Sequence, residues 1–476
     1  MEIEKFLINN ELTSSDEVVN IVNPFTKEVV KQVYKSNKEQ IEASLGYLAE
    51  TFLKYKNTPT YQRSALLEKI SDKVSEQRED FAYLITLETG KPIKFSRIEV
   101  DRAVLTFKLG SEEAKRIEGE VLDLDLLKGS ENKLGIVKRF PLGIIFAITP
   151  WNFPINLAAH KISPALAAGN TIILKPASSS LCCGIELGKI IKECSEEVGL
   201  DYCPINVISS SGSETEKFLT DDRVKLISFT GSPVVGWGIR KKITHQKTSL
   251  ELGGNAGVIV DESADLNTAA SKIAMGAFAQ AGQSCISVQR VFVHEKISNE
   301  FQEILLNETK KLKVGDPFKE DTIVGSMIDE NEAKRIENWI KEAVNSGGKI
   351  LIGGKRESAL LEPTIMTTVN KNQDVNCKEV FAPFMTLKPF NDFKEAVREV
   401  DDSDFGLQAG VFTNDINNAL FAYKNIDVGG VVINDVATYR MDSMPYGGVK
   451  QSGNAREGIK YAIEEMTERK ILVMHS

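Results

Sequence analysis

Apolar runs alternate with helix-like segments along the middle of the chain. Beyond Arg139, the run IIFAI precedes a helix-like segment that begins near Asn156, and the run TIILK precedes a helix over 181–198. The runs INVIS and LISF follow, with a short helix between them. Apolar strands separated by helices are typical of a parallel sheet buried on both faces. This part of the chain is therefore predicted to be an α/β domain.

The same alternation begins again near residue 256. The run AGVIVD precedes a helix rich in small residues, and a polar loop with Cys285 leads into the strand-like run VQRVFVH. Two long helices are predicted around 296–312 and 329–346. The pattern indicates a second α/β domain, as expected for a chain longer than about 300 residues.

Two segments of strand-like sequence lie outside these alternations. The stretch VLDLDLLKGSENKLGIVK, within 119–138, reads as a hairpin with a charged turn, and RKILVMHS at the end reads as a lone strand. Both would carry unpaired backbone edges. We therefore expect them to pair with another subunit in a homo-oligomer, a dimer or a tetramer.

Composition excludes several classes of function. The 476 residues carry a formal net charge of −9 without blocks of like charge, so nucleic acid and anionic membranes are not expected partners. No apolar run approaches the ~18 residues of a membrane span. The six cysteines show no paired spacing and only four histidines are present, so we expect neither disulfides nor a metal site. The sequence is typical of a reduced cytoplasmic protein.

One cysteine differs from the others in its surroundings. Cys194 recurs with apolar residues at helical spacing and reads as a small core residue. Cys285 instead follows Gly282, Gln283 and Ser284, a polar stretch that breaks the preceding helix and suits a thiol that meets a substrate. A thiol that attacks a carbonyl also needs an oxyanion donor and, for hydrolysis, a base.

Two other motifs offer those groups. Glu251 in LELGGN is flanked by leucines, and apolar surroundings raise a carboxyl pKa toward that of a general base. Asn152 in TPWNFP follows the strand IIFAI, where ligands bind in open parallel sheets, and its amide suits an oxyanion. Taken singly, each residue is better explained without catalysis, Glu251 as a salt-bridged glutamate at a strand end and Asn152 as a self-bonded asparagine in a rigid turn.

Two more strand ends could contact a phosphorylated cofactor. Lys175 in KPAS ends the run TIILK and could donate to ribose hydroxyls or a phosphate, although a solvated lysine is the competing reading. FTGSPVVG, 229–236, opens a helix whose free N–H groups could hold a diphosphate. The common G-x-G-x-x-G dinucleotide turn is missing from the sequence.

Taken together, the order of these motifs resembles the aldehyde dehydrogenase superfamily along essentially the whole chain. TPWNFP, KPAS, FTGSPVVG, LELGGN, GQSC, KEVFAPF and MPYGGVKQSGNAREG carry the resemblance. It implies an aldehyde dehydrogenase-like α/β fold with a Rossmann-like NAD(P)-binding domain at 1–118 and 139–253 and a catalytic domain at 254–450. The hairpin 119–138 and the terminal segment 451–476 would form a small β oligomerisation element.

The resemblance also implies roles for individual residues. Cys285 resembles the nucleophile, Asn152 the oxyanion donor and Glu251 the base that activates water for thioester hydrolysis. Lys175 and Glu379 resemble residues that hold the two riboses of NADP or NAD, and the aromatic Phe381 resembles the residue packed beside the nicotinamide. The other expected cofactor contacts are Thr149, Pro150, Trp151, Ala177, Ser178, Gly212, Phe229, Gly231, Ser232 and Leu252.

Two residues refine this expectation. Members that transfer the acyl group to coenzyme A typically lack the glutamate of LELGGN, so the presence of Glu251 favours water as acceptor. Many NAD-specific members have a glutamate at the position of Ser178. A serine removes the charge that would repel a 2′-phosphate, while Lys175 could pair with one. We therefore expect NADP to be accepted, either alongside NAD or in preference to it.

Three arginines are candidates for binding an anionic end of the substrate. Arg290 follows Cys285 by five residues, Arg102 lies on a predicted helix, and Arg440 lies in TYRMDSMPYGG. Arginine suits bidentate capture of phosphate, sulfonate or carboxylate. The alternative is that they form structural salt bridges with Glu99, Asp101 or Asp442.

The branch of the superfamily that the sequence resembles contains lactaldehyde, non-phosphorylating glyceraldehyde-3-phosphate and phosphonoacetaldehyde dehydrogenases. A buried arginine without a partner is costly, so such a pocket favours an anionic substrate over neutral lactaldehyde. We therefore expect a short aldehyde with a phosphate, phosphonate or sulfonate end, with succinate semialdehyde or lactaldehyde as alternatives. The alternative of another class is a non-catalytic structural member, which would be expected to lose Cys285 or Asn152.

Overall fold

The computed structural model describes residues 2–475, and its strands and helices follow the predicted alternation closely. The strands are β1 (Ile3–Glu4), β2 (Phe6–Ile8), β3 (Glu11–Thr13), β4 (Val18–Val22), β5 (Val29–Tyr34), β6 (Glu120–Asp123), β7 (Lys133–Pro141), β8 (Ile144–Ile148), β9 (Thr171–Lys175), β10 (Ile205–Val207), β11 (Val224–Thr230), β12 (Lys247–Glu251), β13 (Ala256–Val260), β14 (Val288–His294), β15 (Lys349–Ile352), β16 (Arg356–Glu357), β17 (Leu360–Leu361), β18 (Thr364–Thr367), β19 (Phe384–Phe390), β20 (Phe405–Gly406), β21 (Gln408–Phe412), β22 (Gly430–Ile433), β23 (Val449–Lys450) and β24 (Thr467–His475). The α-helices are α1 (Lys38–Tyr55), α2 (Thr60–Glu76), α3 (Arg78–Thr89), α4 (Ile93–Ala114), α5 (Asn156–Ala168), α6 (Leu181–Glu197), α7 (Pro233–Lys242), α8 (Leu266–Phe278), α9 (Ser298–Lys310), α10 (Glu330–Asn345), α11 (Asp374–Cys377), α12 (Phe393–Asp401), α13 (Ile416–Asn425) and α14 (Ile459–Glu465).

The first large sheet has the strand order β12-β11-β8-β9-β10-β2-β3. The strands from β12 to β10 are parallel, as their apolar runs predicted. Strand β2 pairs antiparallel with β10 and forms a hairpin with β3, so the N-terminus completes this sheet. The sequence analysis did not predict that addition, because three-residue strands carry almost no periodic signal.

The second large sheet has the strand order β15-β18-β19-β14-β13-β21-β22. All of its pairs are parallel except the one between β15 and β18 at the edge. Apolar residues of α8, α9 and α10 pack in a core on one face, and those of α12 and α13 pack in a separate cluster on the other. Helices on both faces explain why strands such as β13 are apolar throughout.

A three-stranded sheet of order β24-β7-β6 stands apart from the two large sheets. Strand β24 pairs antiparallel with β7 from Thr467 with Pro141 to His475 with Lys133, and β7 forms the predicted hairpin with β6. The hairpin and the terminal strand therefore pair with each other within one chain. The outer edges of β6 and β24 have no strand partner among residues 2–475, so pairing with another subunit stays a prediction.

The two large sheets meet where the segment around residues 446–457 returns to the end of β12. Leu252 N–H donates to the carbonyl of Ser452, and Glu251 bridges to Gly453. The carboxyl ends of β8, β11 and β12 thus face the loop that precedes β14. Among residues 2–475, no helix is both long and apolar enough to cross a membrane. The exact domain boundaries stay a prediction.

Candidate active site

A cavity of about 1220 Å³ lies at these strand ends, between the two large sheets. Its position agrees with the rule that ligands bind beyond the carboxyl ends of parallel strands. The expected site residues that line it are Arg102, Pro150, Trp151, Asn152, Ala177, Ser178, Gly231, Ser232, Glu251, Leu252, Cys285, Glu379, Phe381 and Arg440.

The loop that carries Cys285 is bent by a run of left-handed residues. Gln280 and Ala281 have φ values of 46° and 59°, and Gly282 has 64°. A Cβ at Gly282 would lie 2.1 Å from the carbonyl oxygen of Ala382, so only glycine fits there. This bend ends the helical stretch after α8 and turns the thiol of Cys285 into the cavity.

The Cys285 thiol is partly buried and has a hydrogen-bonding neighbour that the sequence analysis did not predict. Its Sγ lies 2.9 Å from the hydroxyl of Tyr446. Burial raises the pKa of Cys285 to about 12, and the contact with Tyr446 opposes that rise. The raised pKa favours the thiol over the thiolate, so formation of the thiolate depends on the groups around it.

Glu251 ends β12 as a buried carboxyl group. Neither of its oxygens has a hydrogen-bond partner among the described residues. Burial, and then the neighbouring carboxylate of Glu457, raise its pKa well above the usual range. Gly447 passes so close that a Cβ would lie 2.6 Å from Oε1 of Glu251. A buried carboxyl group without partners has the environment required of a general base.

Asn152 is fixed against the loop of the cysteine. Its Nδ2 donates to the carbonyl oxygen of Gln283 over 3.0 Å. That contact excludes the self-bonded turn considered above for this asparagine. Because an amide nitrogen has two hydrogens, the second remains to donate into the cavity.

The carboxylate of Glu379 also lines the cavity. Its Oε1 accepts from Gly254 N–H over 3.0 Å, and a Cβ at Gly253 would collide with this carboxylate. Burial raises its pKa to about 7, against the backbone donor and the charge of Arg335. Nearby, the rings of Trp151 and Phe381 meet edge to face with centroids 5.8 Å apart.

The start of α7 supplies backbone donors on the same wall. Ser232 is the N-cap, and its hydroxyl accepts from Val235 N–H at 3.5 Å. The side chains of Val234 and Val235 are exposed, so the first turn of the helix is open to a ligand. A helix N-terminus, the Glu379 carboxylate and an edge-to-face aromatic pair fit the diphosphate, ribose and nicotinamide parts of a dinucleotide.

Four expected cofactor residues do not line the cavity. Thr149 is buried and its N–H donates to the carbonyl of Lys175, and Phe229 lies under Gly231. Lys175 is nearly buried, and burial lowers the pKa of its ammonium group while Glu214 opposes the shift. Gly212 is exposed on a separate loop. Thr149 and Phe229 therefore support the cavity wall from behind.

Arg440 extends along the cavity beside Tyr446. Its Nη2 donates to the Glu457 carboxylate over 2.9 Å, and its guanidinium carbon lies 3.7 Å from the centre of the Tyr446 ring. Its Nε is buried and has no hydrogen-bond partner within residues 2–475. Burial opposes its charge, but the carboxylate of Glu457 keeps its pKa above the usual range.

Arg102 reaches the cavity from α4. It donates from Nε and Nη2 to the two oxygens of Asp442, at 3.1 and 2.7 Å. His160 and Asn156 also contact Asp442, at 2.8 and 3.1 Å. Asp442 thus holds one edge of the Arg102 guanidinium, and the side chain remains partly exposed to the cavity. Arg102 can therefore keep this salt bridge and still contact a ligand.

Arg290 does not reach this cavity, contrary to the expectation from its position near Cys285. Its guanidinium is buried and donates to the carbonyl oxygens of Asn255, Glu399 and Val400, at 2.9–3.4 Å. It borders a second cavity, beside α12. Burial lowers its pKa to about 10. The side chain therefore has a structural role. Its separation of five residues from Cys285 did not reveal that it points away from the cavity.

Other charged residues of the site were not singled out from the sequence. Glu457 accepts from Lys161 as well as from Arg440, and Arg335 lies on α10 at the edge of the cavity. Tyr446 and Glu457 both lie within the quoted motif MPYGGVKQSGNAREG, but nothing in its spacing distinguishes them. Their roles in the site are visible only from their contacts in the folded structure.

Comparison with known proteins places this site in a family. The sequence profile of the aldehyde dehydrogenase family matches residues 12–472. The chain belongs to that family, and it is an NAD(P)-dependent aldehyde dehydrogenase, which confirms the fold and the enzyme class expected from the motifs.

Individual relatives are similar over nearly the whole chain. The 3-sulfolactaldehyde dehydrogenase of Priestia megaterium is 44% identical over 469 residues, which cover 98% of this chain and 97% of the relative. The lactaldehyde dehydrogenase of Methanococcus aeolicus is 38% identical over 470 residues, 98% of this chain and 99% of the relative.

Solved structures are similarly close. Aldehyde dehydrogenase 21 from Physcomitrella patens, in complex with the reaction product succinate, superposes with a TM-score of 0.97 at 39% identity, covering 100% of this chain and 98% of the other. The glyceraldehyde-3-phosphate dehydrogenase GapN from Methanocaldococcus jannaschii, complexed with NADP, has a TM-score of 0.93 at 38% identity, covering 98% and 100%.

Proposed function

We propose that this enzyme oxidises a short aldehyde with an anionic end, a sulfonate, phosphate or phosphonate, to the corresponding carboxylic acid. The observation that carries the proposal is the buried Nε of Arg440, which lines the same cavity as Cys285 and has no partner among the described residues. A buried donor left unpaired is costly, and an anionic oxygen of the substrate would satisfy it.

The first chemical step uses the two groups beside the bent loop. The Cys285 thiol loses its proton to solvent, the resulting thiolate attacks the aldehyde carbon, and the carbonyl oxygen becomes the oxyanion of a thiohemiacetal. The free hydrogen of Asn152 Nδ2 and the backbone N–H of Cys285 stabilise that oxyanion. Asn152 needs no reorganisation to do so, because its other hydrogen is already held by Gln283.

A bound NADP or NAD would supply the hydride acceptor that oxidises the thiohemiacetal to a thioester on Cys285. Glu379 and the N-terminus of α7 would hold its ribose and diphosphate, and Trp151 with Phe381 would border its nicotinamide. Ser178 lines the cavity where a carboxylate would repel a 2′-phosphate, which supports use of NADP alongside NAD.

Glu251 acts in the second half of the reaction. In its ionised form it takes a proton from water, which attacks the thioester carbonyl; the carboxylic acid leaves and the thiolate of Cys285 is restored. The raised pKa of Glu251 makes it a stronger base than an exposed glutamate. This favours hydrolysis over transfer to coenzyme A.

Arg440 and Arg102 would bind the anionic end of the substrate. Each is anchored by a carboxylate, Glu457 and Asp442 respectively, and both line the cavity. Arg290 is not part of this clamp. The Priestia relative is named for a sulfonated aldehyde, which supports the proposal, while the succinate complex and the lactaldehyde relatives favour succinate semialdehyde or lactaldehyde as alternatives.

The test is a set of initial rates with NADP and with NAD. Substrates are sulfolactaldehyde, glyceraldehyde 3-phosphate, phosphonoacetaldehyde, succinate semialdehyde and lactaldehyde, each assayed with the parent, Arg440→Met and Arg102→Met. We expect kcat/KM to be highest for an anionic substrate and to fall roughly a hundredfold in Arg440→Met, which corresponds to about 2.7 kcal/mol for one charge-assisted contact. Lactaldehyde rates should change only a few-fold.

Arg116→Met is the matched control. Arg116 is exposed and lies just beyond the end of α4. Among residues 2–475, its salt bridges are only with Glu112 and Glu113 in the last turn of that helix. Its removal should leave all five rates unchanged. If lactaldehyde is the best substrate and Arg440→Met affects charged and neutral substrates equally, the anionic-substrate proposal is wrong.

A further inference from the structure

Tyr446 is held in the cavity with little freedom. Its side chain is 3% exposed, and its backbone exchanges two hydrogen bonds with Glu457, at 3.0 and 2.6 Å. Because the pairing fixes the backbone and the ring packs with Ile286 and Leu407, the hydroxyl group has a defined position. That position is not on the cavity rim but directly at the nucleophile.

The side chain of Tyr446 contacts both functional parts of the site. The hydroxyl lies 2.9 Å from Cys285 Sγ, and the face of the ring lies 3.7 Å from the guanidinium carbon of Arg440. One rigid ring therefore links the thiol to the arginine that would bind the anionic end of the substrate. Neither the oxyanion donor nor the general base makes such a double contact.

We propose that Tyr446 is a positioning residue for the nucleophile: its hydroxyl donates a hydrogen bond to the Cys285 thiolate, and its ring supports Arg440 at a fixed offset from that sulfur. This inference rests on the proposed role of Cys285 as the nucleophile. In this role, Tyr446 would also limit the substrate to short aldehydes.

The direction of the hydrogen bond follows from the chemistry of the nucleophile. A thiolate has no proton, so in the reactive form only Tyr446 can be the donor. The arginine cation over the ring makes the phenol a better donor. The other charged groups that face the thiol are Glu379 and Glu251, and both disfavour a thiolate when ionised. Tyr446 and Arg440 therefore supply the groups that favour it.

The ring also sets a distance along the substrate. A substrate whose carbonyl meets Sγ and whose anionic end meets Arg440 must span the offset that the ring imposes. An aromatic side chain suits this function because it has few rotatable bonds. Removing the hydroxyl alone and removing the whole ring should then have different effects on kinetics.

The direct test measures thiol reactivity without substrate or cofactor. Full-length parent and Tyr446→Phe are alkylated with iodoacetamide between pH 6 and 10, and mass spectrometry follows the peptides of Cys285 and of Cys377. Cys377 is exposed and serves as an internal control in each sample. Loss of a hydrogen bond to a charged group should lower the thiolate fraction and slow the alkylation of Cys285 about tenfold throughout this pH range, relative to Cys377.

Steady-state kinetics separate the two contacts of the ring. Tyr446→Phe keeps the ring beneath Arg440, so kcat for the best anionic substrate should fall about tenfold with KM within twofold. Tyr446→Leu removes the ring as well, so KM for that substrate should also rise at least tenfold. Tyr423→Phe, at an exposed position on α13, is the matched control and should change neither value.

A second replacement strengthens the hydrogen-bond donor at position 446 instead of removing it. This test does not depend on the stability of Tyr446→Phe. Site-specific 3,5-difluorotyrosine at position 446 is a stronger donor of similar shape, and it should speed the alkylation of Cys285 relative to Cys377. Unchanged alkylation profiles in both variants would overturn the inference. Failure of the proposed function is distinct, because it would be seen as activity that survives in Cys285→Ala, whatever the alkylation data show.

Discussion

Among single residues, Glu251 has the environment with the clearest kinetic consequence. Its carboxyl group is buried without a hydrogen-bond partner among the described residues, and its pKa is raised. A raised pKa means that the ionised, basic form increases as pH rises through that value. Deacylation by the parent enzyme should therefore accelerate with pH from the acid side.

Glu251→Gln should block hydrolysis while leaving acylation intact. We expect a burst of reduced cofactor equal to the enzyme concentration, followed by a steady rate lower by about 10²- to 10⁴-fold, the contribution of a general base. The residual rate should lose the pH dependence seen in the parent. Stopped-flow absorbance at 340 nm measures both phases.

Two results would contradict that role. Parent-like turnover in Glu251→Gln would remove Glu251 from the mechanism. Formation of an acyl-coenzyme A product by the parent, in the presence of coenzyme A, would show that water is not the acceptor.

The sequence predicted that residues meet in one cavity where a recognisable motif contains them, but not where only contacts in the folded structure bring them together. Cys285, Glu251 and Asn152 were each ambiguous alone, yet the structure brings them to one cavity, as the order of the motifs implied. Tyr446 was missed because its contact partner lies 161 positions away. Arg290 was misassigned because sequence distance does not fix which side of a strand a side chain faces.

At the scale of elements, Arg290 holds the C-terminal end of α12 against the second large sheet. The carbonyls of Glu399 and Val400 belong to the last turn of α12, where helical partners are lacking. Arg290 of β14 satisfies both, together with the carbonyl of Asn255 before β13. The side chain thus ties a helix end to two strands.

Arg290→Met should lower stability and spare catalysis. Leaving these buried carbonyls unsatisfied should reduce the free energy of unfolding by about 3 kcal/mol, measured from the urea midpoint. The value of kcat/KM per folded molecule should stay within twofold of the parent. Arg290→Lys keeps the charge but fewer donors, so its loss should be intermediate. Unchanged stability with a large loss of kcat/KM would instead assign Arg290 to the substrate.

The elements themselves followed the sequence closely where strands are long and apolar. Strands β8, β9, β13 and β14 were predicted from continuous apolar runs, and buried faces explain that pattern. Local patterning predicted β24 as a strand but not its partner β7, and only the family resemblance grouped the terminal strand with the hairpin.

At the scale of the whole molecule, the three-stranded sheet leaves an unusual amount of apolar surface exposed. Ile471, Leu472, Val473 and Met474 of β24 are all 43–55% exposed, so both faces of this strand are open. Exposed apolar side chains also occur on its neighbours and on the hairpin loop: Val121, Leu126, Leu127, Leu134 and Phe140. Contiguous apolar surface of this kind is typical of a contact between proteins.

We expect this sheet to mediate self-association into a dimer or tetramer, which would bury these side chains. A double substitution, Leu472→Glu with Met474→Glu, places two charges on one face of β24 without removing its backbone pairing with β7, since main-chain groups make that pairing. Light scattering after size-exclusion chromatography should show the parent as an oligomer and the variant with a lower mass. Leu420→Glu, an equally exposed leucine on α13, is the matched control and should keep the parent mass. A monomeric parent, or an unchanged mass in the double variant, would show that the sheet's apolar faces serve another purpose.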